Sequence, residues 1–378
     1  MLAKAILALN GGSSSLKLAL FDTSDPAAPR RVLRHTVSRM GESPADYARS
    51  LDEAFVALDE YGGLAVVAAV GHRIVHGGPR YATSQVLAAE VLRELRRLVP
   101  LDPDHLPAEL ALVEAMSARA PSLLQVGCFD TAFHRTMPRT SRLLAIPRRY
   151  ALEGVERYGF HGLSYTYLVE ELERLAGEAA ARGRVVLAHL GSGASLAAVR
   201  ERHCVDTTMG FTPNSGVPMG TRSGDLDPGI ILYMLRTGRL GTEALDDVLS
   251  RHSGLLGVSE TSADMRDLLE RQSGDLRAAD AVALFCHQVR KAIGALATTL
   301  GGVETLVFAG GIGENSAAVR WQIAQGLEHL GVHLDEARNQ GSAPVISVEG
   351  SACTVRVIRT DEESIIARET LRVASATA

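Results

Sequence analysis

An α/β protein built from two related halves is the fold class this sequence predicts, and three observations predict it. Apolar runs of strand length alternate with stretches of helical period, the pattern of layered α/β domains. Two glycine hairpins recur about 180 residues apart, as an internal duplication would leave them. The 378 residues suffice for two separate cores.

The elements follow in order. Residues 4–10 and 15–22 are strand-like runs joined by Gly11-Gly12-Ser13-Ser14, a tight-turn composition. Residues 51–59 and 91–98 carry helical period, with a buried strand at 66–70 between them. Residues 124–129 form a further strand that runs into Asp130. The second hairpin pairs 185–190 with 194–199 across Gly191-Ser192-Gly193. Superimposed, the hairpins place Gly11 on Gly191, Ser15 on Ser195 and Leu16 on Leu196. Lys17 falls on Ala197, so the copies have diverged in role. A weaker echo aligns 124–129 with 306–310, which leads into Gly311-Ile312-Gly313.

Composition excludes several classes. A hydrophobic content of 46% with 22% charged residues describes a soluble globular chain. A net charge of −5 without a basic run argues against a nucleic-acid partner, so cations for an anionic ligand must be local. No apolar run approaches the roughly 20 residues that span a bilayer. The opening MLAKAILALNGG enters a glycine turn without a small-residue cleavage site and reads as a first strand rather than a signal peptide. Cys128, Cys204, Cys286 and Cys353 lack disulfide or zinc spacing, and a cytoplasmic location is expected.

The most informative stretch is residues 206–229, DTTMGFTPNSGVPMGTRSGDLDPG. It has almost no apolar period, so core packing is not expected to hold it, and long loops of this kind in compact domains are commonly functional. Arg222, between Thr221 and Ser223 with Asp225 and Asp227 close behind, suits an oxyanion held beside a metal. The segment closely resembles the signature of the acetate kinase family, whose loop carries an arginine to the phosphoryl group in flight.

Further motifs in that family's order cover nearly the whole chain. Asn10-Gly11-Gly12-Ser13-Ser14-Ser15-Leu16-Lys17 resembles its first phosphate hairpin, implying Asn10 as a magnesium ligand and Lys17 facing the nucleotide phosphates. By itself it also reads as a structural hairpin with a snorkelling lysine. Gly71-His72-Arg73-Ile74-Val75-His76-Gly77-Gly78 matches the motif whose arginine, here Arg73, binds the acyl carboxylate through parallel donors that lysine lacks. Cys128-Phe129-Asp130-Thr131 resembles the strand end with the catalytic aspartate, Asp130, although strand-end aspartates also cap helices. Arg157-Tyr158-Gly159-Phe160-His161-Gly162 resembles the histidine motif, implying His161 at the phosphoryl group.

On the nucleotide side, His189-Leu190-Gly191-Ser192-Gly193, Asp264-Met265-Arg266 and Gly311-Ile312-Gly313-Glu314-Asn315 resemble the family's ATP-binding turns. Consecutive backbone N–H groups in such glycine turns make concave anion sites. There is no GxxxxGK[ST], so the competing phosphate loop is absent. Thr360-Asp361-Glu362-Glu363 resembles the acidic motif whose first glutamate, Glu362, helps hold magnesium; an N-capped helix with early acids fits the same residues.

The resemblance implies two actin-like, sugar-kinase-like domains with the nucleotide in the cleft between them. The N-terminal one takes 1–132 and 364–378, and the nucleotide-binding one 133–363. It implies reversible transfer of a phosphoryl group from ATP to a short carboxylate, with Mg²⁺ or Mn²⁺, in a homodimer. Val75, Leu101, Phe160 and Pro213 would line the acyl tail, which favours acetate first and propionate second. Domain closure would exclude water from the transfer.

Several positions depart from the family pattern and bear on affinity and nucleotide preference rather than on reaction class. Asp102 stands where a histidine is usual, with His105 three positions on; Ser192 replaces asparagine. Met265 replaces an aromatic, and Leu163 and Tyr165 replace threonine and histidine. These departures leave one alternative, a catalytically weak member acting as a nucleotide-dependent sensor. A chaperone-like ATPase would need a peptide-binding domain for which the sequence given leaves no room, and sugar kinases lack the carboxylate arginine motif.

Overall fold

The computed structural model describes residues 5–11, 15–38, 44–238 and 240–377. Lys4, at the head of the first expected strand, and Gly12, Ser13 and Ser14 of its turn lie outside the described residues. The chain gathers into two compact units. One takes 1–135, 160–167 and 361–378, the other 136–159 and 168–360.

In the first unit, β1 (Ala5–Gly11), β2 (Ser15–Asp22), β3 (Arg30–Ser38), β4 (Val67–Ile74), β5 (Gln85–Val86) and β6 (Leu124–Phe129) form one sheet ordered β3-β2-β1-β4-β6-β5. β1 is buried along its whole length because both faces of the sheet are covered. The two-residue alternation sends Leu7 and Leu9 into a core with Leu51 and Leu58 of helix Pro44–Asp59 and Leu112 and Met116 of helix Leu106–Arg119. Ile6 and Ala8 point the other way, onto Ile365, Ile366 and Val373 of helix Glu362–Thr377. Since β1, β4 and β6 run parallel, their carboxyl ends share one edge, and Asn10, Arg73 and Asp130 all lie there. Ligands of open α/β sheets bind at that edge.

The second unit holds β7 (Val185–Leu190), β8 (Ala194–Arg200), β9 (His203–Thr207), β10 (Thr305–Ala309) and β11 (Thr354–Val357), ordered β11-β10-β7-β8-β9. Its main covering helix, Leu276–Leu300, starts at the Asp275 side chain, which accepts the Arg277 N–H, and ends at Gly301 with φ 74. Among the described residues no helix is long and apolar enough to cross a membrane.

The order β3-β2-β1-β4-β6 repeats as β9-β8-β7-β10-β11, with the same antiparallel and parallel pairings. The duplication is therefore present in the wiring, but two of the expected correspondences fail. β10 neighbours β7 as β4 neighbours β1, so the echo of 124–129 in 306–310 joins strands that are not equivalent. Both are short apolar runs before a turn, and local sequence does not state which strand lies beside which. The hairpins also differ in register. Asn10 pairs with Lys17, whereas Leu190 pairs with Ala194 rather than Ala197, a register shift of three, because the second hairpin turns earlier and encloses three residues rather than four.

The segment 208–227 contains no regular element and leads into helix Pro228–Thr237, whose first turn is capped by Asp227 through the Gly229 N–H at 2.7 Å. Contrary to expectation, core packing does hold it. Met209 and Met219 are fully buried and Val217 nearly so, the apolar anchors being too few and too irregularly spaced to register as a period.

Candidate active site

At the shared edge of the first sheet, Arg73 is the second-last residue of β4 and Asp130 lies directly after β6. Arg73 donates from Nε at 3.0 Å and from Nη2 at 2.6 Å to the same oxygen, Asp130 Oδ2, and from Nη1 at 3.3 Å to the Gly11 carbonyl. The other oxygen, Oδ1, accepts the Leu163 N–H at 3.4 Å. Gly162 makes that approach possible, since a Cβ there would stand 1.8 Å from the Asp130 carbonyl oxygen. Burial pushes the Asp130 carboxyl upward from its ordinary range, and the Arg73 charge opposes that shift. Burial works against the Arg73 cation too, but Asp130, Glu362 and Glu109 together raise its pKa.

Asn10, at the end of β1, donates from Nδ2 to Glu362 Oε2 at 2.8 Å and to Glu363 Oε1 at 2.9 Å. The two glutamates open helix Glu362–Thr377, and Asp361 just before it receives the Ser364 N–H. Lys17, half-buried, is the cross-strand partner of Asn10. Both expected metal residues thus meet at one point. Among the described residues no three His, Cys, Asp or Glu side chains gather as a cage. An amide oxygen and a carboxylate form an all-oxygen donor set, which fits a Mg²⁺ ion that keeps water and phosphate oxygens as its remaining ligands.

Val75 and Phe160 are buried and Leu101 half-buried in the same unit. The His76 ring meets Phe160 edge-on at 5.6 Å, and His134 Nε2 lies 2.8 Å from the Phe160 carbonyl. His161 follows with φ 58, a left-handed backbone uncommon outside glycine and concentrated at functional positions. Two of the departures from the family pattern are core residues. Leu163 packs in the cluster beneath β1, and Tyr165 is fully buried against Phe133 and His134. Asp102 is buried and bonded through Oδ1 to His105 Nδ1 at 2.9 Å, so His105 does approach this position.

The second unit brings the nucleotide-side turns together. Gly191 N–H bonds the Gly193 carbonyl at 3.0 Å, closing the β7–β8 turn, in which Ser192 is exposed. Gly310, at φ 77, leaves no space for a side chain, since a Cβ would lie 2.7 Å from the Leu190 carbonyl oxygen. That contact seats helix Gly310–Asn315 against the turn. Glu314 Oε1 accepts the N–H groups of Gly310 at 3.0 Å and Thr360 at 3.1 Å, and Asn315 Nδ2 bonds the Gly311 carbonyl at 2.9 Å. Ile312 is half-buried and Gly313 buried within the same turn.

The long loop joins this group through Gly220, whose N–H reaches the Ser192 carbonyl at 2.9 Å. Arg222 bonds the carbonyl of buried Pro213 from Nη1 at 3.3 Å. Asp264 caps helix Met265–Arg271 and also holds Arg266 by a fork of 3.2 and 2.6 Å. Met265 is buried, so its replacement of an aromatic alters packing beneath the motif. His189 is half-buried at the end of β7. Asp130, His161, Arg73, Asn10, Glu362 and Lys17 therefore belong to the first unit, and Arg222, Pro213 and the remaining nucleotide-side residues to the second.

The sequence matches the acetokinase family over residues 37–368. The chain belongs to that family. It is a phosphotransferase of the acetate kinase type, with a carboxyl group as acceptor. It is 42% identical to the acetate kinase of Methylocella silvestris, with 98% of each chain covered, and 39% identical to that of Bacillus subtilis, with 98% of this chain and 99% of the relative covered. Among solved structures, Porphyromonas gingivalis acetate kinase superimposes with a TM-score of 0.87 at 34% identity, covering 98% of this chain and all of the other. A propionate kinase from Francisella tularensis gives 0.89 at 33% identity with the same coverage.

Three residues of this chain stood outside the expected set. Glu363 shares Asn10 with Glu362, and the acidic pair itself was the available signal. Arg157 bonds from Nη1 to the carbonyls of Thr207, Thr208 and Met209 at 3.0–3.2 Å, fixing the root of the Arg222 loop. Fully buried Arg320 bonds the carbonyls of Gly313 and Glu314 at 2.9 and 3.0 Å and braces the glycine turn from behind. Neither arginine carries a local sequence signal for these contacts.

Proposed function

We propose that this chain transfers the γ-phosphoryl group of ATP, reversibly and with Mg²⁺, to a short unbranched carboxylate, acetate first and propionate second. A carboxylate oxygen forms the new bond to phosphorus while the bond to the β–γ bridging oxygen breaks, its electron pair leaving with ADP. The acceptor is already an anion, so no base is needed. Catalysis consists of overcoming repulsion between anions and stabilising charge on the equatorial oxygens. Arg73, pinned by Asp130 at the carboxyl edge of the sheet, holds the carboxylate, and this pinned guanidinium is the observation that carries the proposal. Arg222 and His161 contact the phosphoryl oxygens in the transition state. Asn10 and Glu362 hold Mg²⁺, which neutralises nucleotide phosphate charge when bound.

Lys17, the 189–193 turn, Asp264 to Arg266 and Gly311 to Asn315 take the nucleotide, and the two units correspond to the two actin-like domains. Val75, Leu101, Phe160 and Pro213 surround the acyl tail with apolar groups that offer a hydroxyl no partner. Cys128, Cys204, Cys286 and Cys353, buried and not joined in disulfides, accord with a reducing cytoplasm. The exposed Ile230, Leu232 and Tyr233 of helix Pro228–Thr237 accord with a homodimer.

The test is coupled ADP release across acetate, propionate, butyrate and a sugar panel, with and without magnesium. One methylene changes transition-state binding by about 1–3 kcal/mol, so acetate and propionate differ by about ten- to two-hundredfold and butyrate falls behind both. Butyrate equal to acetate in kcat/KM would overturn the pocket, and a sugar outrunning the carboxylates would overturn the substrate class.

A further inference from the structure

Close to Arg73 the first unit buries a carboxyl group that the phosphoryl-transfer scheme leaves unused. Glu109 lies in the first turn of helix Leu106–Arg119 and is 3% exposed. Its Oε2 accepts the Val75 N–H at 2.8 Å, and its Oε1 has no partner. Among the described residues no cation is paired with it. Arg73, on β4, is engaged with Asp130 and the Gly11 carbonyl. His76, just after β4, accepts the Gly78 N–H on Nδ1 at 2.8 Å, which makes it the neutral tautomer protonated on Nε2.

Before the helix, Asp102 and His105 bond each other, and the second Asp102 oxygen also has no partner. Asp130 after β6 and Glu362 from the C-terminal helix add negative charge around Arg73. The ion pairs that bind helix Leu106–Arg119 to its other neighbours, Arg119 with Asp52 and Arg96 with Glu114, are at the surface.

An ionised Glu109 would hold a buried charge on one N–H bond with a bare second oxygen, beside two further acids. Its neutral form asks for far less. We propose that Glu109 is a proton-loaded positioning residue: neutral, it leaves the Arg73 charge to the incoming carboxylate; ionised, it competes with that carboxylate for it. This role rests on Arg73 being the carboxylate site. Burial places the Glu109 pKa at about 8, with Arg73 pulling it down and Asp102 and Asp130 pushing it up. By linkage, carboxylate binding and loss of the Glu109 proton oppose each other, so binding near that pH draws a proton from solution.

The experiment measures kcat and KM for acetate from about pH 6 to about pH 9.5 in the wild type, Glu109→Gln and Arg73→Gln. In the wild type, KM for acetate rises about tenfold per unit above the Glu109 pKa, and Glu109→Gln loses that rise while the pH dependence of kcat keeps its wild-type form. Calorimetry of acetate binding near pH 8, in two buffers of different ionisation heat, shows proton uptake by the wild type and so gives an answer even if Glu109→Gln does not fold. A Glu109→Gln enzyme that keeps the rise, or a wild type that takes up no proton, overturns the role of Glu109. If Arg73→Gln leaves KM for acetate unchanged, the carboxylate site itself is wrong. If Arg73→Gln raises it while Glu109→Gln keeps the wild-type profile, only Glu109 has been misread.

Discussion

Arg73 presents Nε and Nη2 to a single oxygen of Asp130, at 3.0 and 2.6 Å, while the other Asp130 oxygen turns to the Leu163 N–H. One carboxylate thus ties the guanidinium plane to the start of the helix that follows His161. In Asp130→Ala the buried cation loses its counter-ion, a loss of about 3–5 kcal/mol for pairs of this kind. Turnover falls about a hundredfold as the guanidinium drifts from its place. Denaturant unfolding and acetate kinetics on one preparation read both effects. Unchanged values for both would mean that Arg73 is held by something else.

Arg222 is half-buried, and its guanidinium bonds the Pro213 carbonyl within its own loop and touches the Met219 sulfur. In the proposed mechanism this charge acts when the phosphoryl group is in transit. Arg222→Ala lowers kcat by at least roughly a hundredfold while the Kd for ATP stays within a few-fold. Equal losses in nucleotide affinity and turnover would assign the residue to ground-state binding.

Glu362 and Glu363 both accept from Asn10, but Glu363 is buried and Glu362 half-buried. The more open acid is the one a hydrated cation can reach. Glu362→Gln therefore raises the magnesium concentration for half-maximal rate, whereas Glu363→Gln lowers stability with little change in metal dependence. A magnesium titration of the two variants decides, and the reverse pattern would exchange their roles.

His72 is buried on β4 with Nε2 2.8 Å from Gln125 Oε1, and Gln125 in turn bonds Ser117 at 2.7 Å. Burial pushes its pKa down from 6.5 to about 4. Between those values the unfolded chain binds a proton that the folded chain refuses. Stability from this residue is complete above about pH 6.5 and falls by about 3 kcal/mol as pH drops to 4. Glu109, raised to about 8, pulls the other way between 4.5 and 8, so the difference between wild type and His72→Gln is the quantity to follow. On going from about pH 7 to about pH 4.5, His72→Gln should gain about 3 kcal/mol of unfolding free energy relative to wild type. An identical acid slope in both proteins would clear His72.

Much of this was legible in the residues. Apolar runs bounded by glycine located β2 and β7 with the bounds they have in the structure, and the glycines at 162 and 310 stand where backbone approaches within van der Waals distance. Contacts between distant segments were not legible. Nothing near Glu109 announces that it will reach Val75, and Arg157 meets carbonyls about fifty positions away. Met265 shows a second limit: a motif fixes where a residue stands in the chain, not whether its side chain faces a ligand or the core.

The unequal turns of the two hairpins have a consequence for how a copied half acquires a new task. Were the first hairpin to turn where the second does, so that position 10 met position 14, β2 would slide three positions along β1, about 10 Å, and Lys17 would leave its place across from Asn10. Because three is odd, the lysine would also rotate to the opposite face of the sheet. The place where the chain turns thus decides whether an ammonium group stands at the carboxyl edge of the sheet. Moving that turn would erase a cationic position without altering any charged residue.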